Sequence, residues 1–266
     1  MPNPNPVVLI TGASAGIGAV YADRFAARGH DLVLVARDAA RLAVLAAELR
    51  ALHGVAVEPF PADLTGPALA AVEARLAEDG RIGILVNNAG AVTAGGFLDT
   101  TAAQIEALVR LNVIALTRLA AAVAPRFVAA GTGAIVNVGS VVGLAPERPF
   151  GIYGATKAYV LALSQTLQAE LGARGVYVQA VLPPATQTEI WGRAGRDTSK
   201  LPPMMPVAEL VDAALVGFDR REAVSLPSLP DLAQWETFDA ARKAMAANLP
   251  QIRAAARYHD APPGKV

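Results

Sequence analysis

Short, unbroken runs of Val, Ile and Leu recur along this chain, and each is followed by a helical pattern. The runs are Val7–Thr11, Asp31–Ala36, Val55–Phe60, Ile82–Asn87, Gly133–Val138 and Val176–Leu182. An apolar run that does not alternate predicts a strand buried on both faces. Helix-period segments lie between the runs, at Gly16–Arg28, Asp38–Leu52, Gly66–Glu78, Ala103–Ala130 and Ile152–Ala173. Strands and helices alternating at these lengths imply right-handed crossovers and a doubly wound parallel sheet, an α/β fold in three α/β/α layers. Such folds bind ligands beyond the carboxyl ends of their strands.

The 266 residues suit one large α/β domain, although length alone also allows two smaller ones. Lys plus Arg and Asp plus Glu each total 23, so the chain has neither the basic excess of a nucleic-acid binder nor an acidic tail. Its histidines, His30, His53 and His259, are scattered and it has no cysteine, which argues against a metal site and against disulfides. A mean hydropathy of +0.38 raises the question of a membrane. The charge-free stretch Phe127–Pro146, however, contains Gly131, Gly133, Asn137, Gly139, Ser140 and Gly143, and reads as a helix end, a buried strand and a loop. The opening Met-Pro-Asn-Pro-Asn-Pro has neither the basic nor the apolar region of a secretory signal. The expectation is a soluble cytoplasmic protein with no metal and no nucleic-acid or membrane partner.

Val7–Thr11 runs directly into Thr11-Gly12-Ala13-Ser14-Ala15-Gly16-Ile17-Gly18, which opens a helix. Glycines here let the backbone turn tightly and approach a pyrophosphate, whose charge a helix N-terminus stabilises. The spacing is GxxxGxG, and no Gly-Lys-Ser/Thr follows, so it is not a P-loop. In dinucleotide folds an acidic residue at the end of the second strand holds the ribose 2′-hydroxyl, and a nearby arginine accommodates a 2′-phosphate. Ala36 stands at that strand end and Arg37 follows, which favours NADP(H) over NAD(H). Asp38 reads as the N-cap of the next helix.

A second constellation comes later. Tyr153 and Lys157 are four apart on a predicted helix, hence on one face. A nearby cation favours phenolate and lowers a tyrosine pKa, which would make Tyr153 usable as a proton donor and acceptor. Ser140, at the end of the preceding strand, is positioned to hold a substrate oxygen beside it. Alone, this spacing also fits an ordinary solvated helix face.

Taken in order, the motifs resemble those of the short-chain dehydrogenase/reductase family in its single-domain form. They are TGASAGIG at Thr11–Gly18, Asp63-Leu64, Asn-Asn-Ala-Gly at Asn87–Gly90, Asn112, Ser140 and YGATK at Tyr153–Lys157. The resemblance covers about Val7 to Thr188 and implies a Rossmann-like fold. It implies that Tyr153 exchanges a proton with the substrate oxygen and that Ser140 orients and polarises that oxygen. Lys157 would lower the Tyr153 pKa and hold the nicotinamide ribose, and Asn112 would help anchor a proton-relay water. Cofactor contacts are implied for Gly12, Ser14, Gly16, Ile17, Gly18, Arg37, Asp63, Leu64, Asn88, Ala89, Gly90, Tyr153, Lys157 and Thr188. Read without the family, Asp63 is equally a turn residue and Asn88 a strand-end cap. In the family, Pro-Gly usually follows the sixth strand; this chain has Pro183-Pro184, and Pro184 lacks the backbone donor.

From Pro183 the β–α rhythm breaks. Pro183–Pro206 carries five prolines and two glycines, ahead of a helix near Val207–Arg220, a short run Ala223–Leu226 and a final helix Leu232–Tyr258. The expectation is one domain spanning 1–266, with a substrate lid at about 184–220 and a C-terminal helix at about 231–258. Val142, Phe150 and Trp191, with Ser140 and Tyr153, are expected to meet the substrate, and Met204 and Met205 either join them or pack on the core. Arg193, Arg196 and Lys200 are candidates for an anionic substrate group, or surface residues. An apolar small carbonyl or secondary alcohol is the expected substrate. The competing reading is a catalytically silent nucleotide-binding regulator on the same fold. The resemblance also suggests a homotetramer or homodimer, packed through the alanine-rich helices.

Overall fold

The first strand shows why the apolar runs do not alternate: its side chains feed two separate cores. In the computed structural model, which describes residues 5–93, 95–195 and 203–259, Val8 and Ile10 of β1 (Val7–Thr11) lie in one buried cluster. Val7 and Leu9 lie in another. Six further strands join it: β2 (Leu32–Ala36), β3 (Val57–Pro61), β4 (Ile82–Asn87), β5 (Gly133–Val138), β6 (Val176–Val181) and β7 (Val224–Ser225). Every pairing is parallel, in the order β3-β2-β1-β4-β5-β6-β7. Pro59 and Pro61 fall on β3, an edge strand, where a missing ladder donor is tolerated.

Helices α1 (Gly16–Ala27) and α2 (Ala39–His53) bury Tyr21, Phe25, Leu42 and Leu49 in the first cluster. Helix α3 (Leu69–Glu78) packs Val72 and Leu76 in the second. Opposite the same face lie α4 (Ala102–Val109), a π-helical turn Arg110–Ala115 and α5 (Leu116–Ala130), continuous with one another. This 29-residue stretch is, among the described residues, the one helix long and apolar enough to cross a membrane. Its Leu119, Val123 and Phe127 are buried in the second core. Helix α6 (Gly151–Leu171) completes that layer.

The region after β6 differs in part from the sequence expectation. A short helix α7 (Ile190–Arg193) is followed by Met205, which bridges back to Thr186. Helix α8 (Val207–Asp219) buries Leu210, Val211, Ala214 and Leu215, so these residues belong to the helical layer and not to a covering segment. Arg196 and Lys200 lie outside the described residues. The structure divides into two compact units, one ending at Ser228 and one beginning at Leu229. In the second, α9 (Leu232–Met245) starts at an Asp231 cap and no described residue is buried. This helix ends at Met245, well before Tyr258, and among the described residues only the short 3₁₀ turns Ala246–Asn248 and Ala256–Tyr258 follow.

Candidate active site

Strand order reverses between β1 and β4, and the chain opens there into a cavity of about 850 Å³ beyond their carboxyl ends. Its floor is the glycine turn. Gly12 and Gly16 have φ of +65° and +56°, which an L side chain rarely adopts, and a Cβ on Gly12 would lie 2.9 Å from the Ala89 Cα. Gly18 does not line the cavity; a Cβ there would lie 2.4 Å from the Gly12 carbonyl oxygen, so it permits α1 to pack on β1. Ala15 caps α1 without a side-chain hydrogen bond, and the first turn carries no acidic residue. The first-turn amides therefore face the cavity without a side-chain competitor, as a bound phosphate requires.

A threonine unassigned by the sequence reading organises this floor. Thr11 Oγ1 accepts from the backbone N–H of Asn88 and of Ala89, both at 3.0 Å, and donates to the Val86 carbonyl at 3.3 Å. Asn88 Nδ2 donates to the carbonyls of Thr11 (2.9 Å) and Gly12 (3.2 Å). The Asn88 side chain thus pins the glycine turn, nearer to the strand-end cap than to a direct nucleotide contact. Ser14, Ile17, Leu64, Ala89 and Gly90 line the cavity.

Arg37 and Asp63 stand together at one end. The Asp63 carboxylate accepts from Thr65 N at 2.9 Å and from Thr65 Oγ1 at 2.7 Å. These bonds, with the nearby Arg37 charge, hold the carboxyl below its usual range. Both lie on the cavity wall.

At the other end are Ser140, Tyr153 and Lys157. Ser140 lies two residues past β5 and caps the turn Val141–Leu144; its hydroxyl donates to the Pro183 carbonyl at 3.3 Å. That turn packs directly on α6, since a Cβ on Gly143 would lie 2.8 Å from Ala158 N and from Lys157 C. Tyr153 and Lys157, one turn apart on α6, are both buried, 9% and 6% exposed, yet both line the cavity. The Ser140 hydroxyl stands near enough to the Tyr153 phenol to favour its ionised form. Lys157 Nζ donates to the Val138 carbonyl at 2.8 Å and lies 5.8 Å from the centre of the Tyr153 ring.

One expectation is corrected here. Burial pushes the Tyr153 phenol up to about 12, and the Ser140 hydroxyl pulls against this without reversing it. Burial also pushes the Lys157 ammonium down to about 8. Removal from water outweighs the neighbouring charge, and Lys157 directs a donor at a backbone carbonyl.

Asn112 lies beneath the cavity, in the π turn. Its Oδ1 accepts from Ala91 N at 2.9 Å, and its Nδ2 donates to Ala91 O at 2.9 Å and Thr156 Oγ1 at 3.1 Å. The side chain is engaged with the loop after β4 and with α6. Gly90 passes close by; a Cβ there would lie 3.3 Å from Asn112 Oδ1 and 3.5 Å from Lys157 Nζ.

Around Tyr153 the wall is apolar. Val92, Leu108 and Val142 cluster with it, flanked by Phe150 and Ile190. Trp191 lines the cavity and donates from Nε1 to the Thr186 carbonyl at 2.8 Å. Met204 and Met205 do not line it; Met205 acts through its backbone, paired with Ala185 and Gln187. Thr188 lines the cavity beside Gly16, whose Cβ would lie 3.1 Å from Thr188 Cγ2. Arg193 donates to Glu189 at 2.7 Å, and Glu189 also holds Arg41. Neither Arg41 nor Glu189 is marked by any local sequence pattern.

The chain is similar to several known proteins in sequence and in fold. A short-chain dehydrogenase from Sphingobium yanoikuyae in complex with NADPH is 66% identical, with a TM-score of 0.93 over 95% of this chain and 99% of that one. The bulky-bulky ketone specific alcohol dehydrogenase from Comamonas testosteroni is 55% identical, with a TM-score of 0.89 over 95% of this chain and 98% of that one. Sulfoacetaldehyde reductase of Chromohalobacter salexigens is 36% identical over 187 residues, 68% of this chain and 73% of that protein. The chain spans only 32% of the length of another relative, the probable oxidoreductase EphD of Mycobacterium tuberculosis, to which it is 37% identical over 192 residues. The family profile for short chain dehydrogenases matches residues 6–199. The chain belongs to the short-chain dehydrogenase family.

Proposed function

We propose that this protein is an NADP(H)-dependent oxidoreductase that interconverts a bulky, apolar ketone and its secondary alcohol. The observation that carries the reading is the continuity of one cavity, from the uncapped amides of α1 to the hydroxyls of Ser140 and Tyr153. Its phosphate-binding end fits a dinucleotide: the glycine turn, Ser14 and Ile17 at the pyrophosphate, Arg37 at the 2′-phosphate, Asp63 and Leu64 toward the adenine, and Gly90, Lys157 and Thr188 toward the nicotinamide. When bound, the nicotinamide supplies or accepts the hydride.

The chain's own residues manage the oxygen. Ser140 turns its one hydroxyl proton from the Pro183 carbonyl to the substrate carbonyl, where negative charge develops during reduction. Tyr153 gives its proton to that oxygen; with a pKa of about 12 it holds the proton throughout the neutral range. The Lys157 ammonium, near enough to act across the Tyr153 ring face, offsets the phenolate charge that results. Asn112 keeps α6 and the loop after β4 in register. Val142, Phe150, Ile190 and Trp191 form walls suited to apolar groups on both sides of the carbonyl. The NADPH complex of one relative and the bulky-ketone specificity of another support the same reading.

The test is a panel of ketones, aldehydes and alcohols assayed with NADPH and with NADH, following the absorbance of the reduced nicotinamide. Ketones carrying large groups on both sides should be reduced with the highest kcat/KM, and with NADPH. A preference for small aldehydes, or turnover of none, would contradict it.

A further inference from the structure

Two guanidinium groups flank Asp38, the N-cap of α2, and both line the cavity. Arg37 has no hydrogen-bond partner among the described residues. Arg41 is held. Its Nη1 donates to Glu189 Oε1 at 3.1 Å and Oε2 at 2.8 Å, and its Nε lies 3.5 Å from Asp38 Oδ2. Glu189 is 148 residues distant, on the segment after β6, directly following the Thr188 that packs against Gly16. The pair therefore joins two walls of the cavity. Glu189 has a second cation as well, Arg193 at 2.7 Å.

We infer that Arg41 and Glu189 tune the choice between NADPH and NADH, with Arg41 as a second cation for the 2′-phosphate and Glu189 as the anion that competes for it. The inference rests on the NADP(H) reading and deepens it. A guanidinium is a planar fork matched to both carboxylate and phosphate oxygens. The Arg41–Glu189 pair is about half exposed, 48% and 52%, and exposed ion pairs hold weakly. A phosphate dianion beside Arg37 is the stronger attractor, so Arg41 transfers to it. Arg193 stays on Glu189, so the carboxylate keeps a partner. With NADH no such charge arrives, and Arg41 remains on Glu189.

Cofactor binding, followed by quenching of protein fluorescence during titration, separates the possibilities. All the residues altered are exposed, so the variants fold. Glu189→Gln should tighten NADPH about three- to fivefold and leave NADH unchanged. Arg41→Ala should weaken NADPH about tenfold, again sparing NADH, and in that background Glu189→Gln should no longer tighten NADPH. Equal changes for both cofactors would make the pair a mere clasp between the walls and overturn the inference. So would Arg41→Ala and Glu189→Gln without effect while Arg37→Ala selectively loses NADPH; that result leaves the NADP(H) reading standing. If Arg37→Ala also treats the two cofactors alike, the NADP(H) reading itself fails.

Discussion

Tyr153 and Lys157 are buried side by side, and burial moves their two pKa values in opposite directions, up to about 12 and down to about 8. Near neutral pH the phenol therefore keeps its proton while the ammonium keeps most of its charge, the combination a proton donor needs. The pH dependence follows from Lys157. Reduction should be level below about pH 7 and fall as pH rises through about 8, when the cation that offsets the phenolate is lost; a kcat/KM profile level to pH 10 would contradict this. The same shift has a stability consequence. A lysine whose folded pKa lies below its ordinary 10.5 destabilises the fold fully below about pH 8, and this cost is relieved as pH rises towards 10.5. The cost is on the order of 3 kcal/mol, against about 1.5–3 kcal/mol for the charge-assisted hydrogen bond to Val138 O. Lys157→Met should therefore be inactive yet at least as stable as the parent at pH 7, as read by urea unfolding. It should also lack the parent's rise in stability between pH 8 and 10.5. A variant less stable at pH 7 would show that the lysine contributes to the fold.

The π turn Arg110–Ala115 is the element that brings Asn112 under the site. A π turn within an α-helix offsets the faces of the segments on either side of it, and such turns often accompany functional sites. Here it directs the amide at both backbone groups of Ala91 and at Thr156. Asn112→Ala would take away the side-chain partner of both backbone groups of Ala91, whereas Thr156 Oγ1 keeps its bond to the Tyr153 carbonyl, so it should lower unfolding free energy by about 1–3 kcal/mol. It should also weaken cofactor binding, because Gly90 and Ala91 lose their support; unchanged affinity in titration would count against this positioning role. Nothing in the apolar periodicity of 102–130 marks that turn, since the pattern reads as one helix. For α8 the pattern is visible but its destination is not. Leu210, Val211, Ala214 and Leu215 show an apolar stripe that fits a lid and a core helix equally, and only packing decides.

At the scale of the molecule, strand order, cavity and the Ser140–Tyr153–Lys157 cluster share one origin. Runs buried on both faces impose a covered parallel sheet, and its reversal between β1 and β4 opens the cavity where the glycine turn ends β1. This much was legible, because β1, β4 and β5 are continuous apolar runs and Tyr153 and Lys157 are near neighbours in sequence. The Arg41–Glu189 pair and the Thr11 contacts to Asn88 and Ala89 were not, because they join segments 148 and 77–78 residues apart with no local pattern. The pKa of Tyr153 was misjudged for a related reason: a helical spacing reveals a neighbouring charge but not the loss of water around it. The central claim is that Tyr153 is the proton donor in this cavity. Its most direct measurement compares Tyr153→Phe with the parent for ketone turnover and for NADPH affinity on the same preparation. The account predicts a fall in kcat of at least about a hundredfold with NADPH affinity changed less than about twofold; retained turnover, or affinity lost along with it, would contradict it.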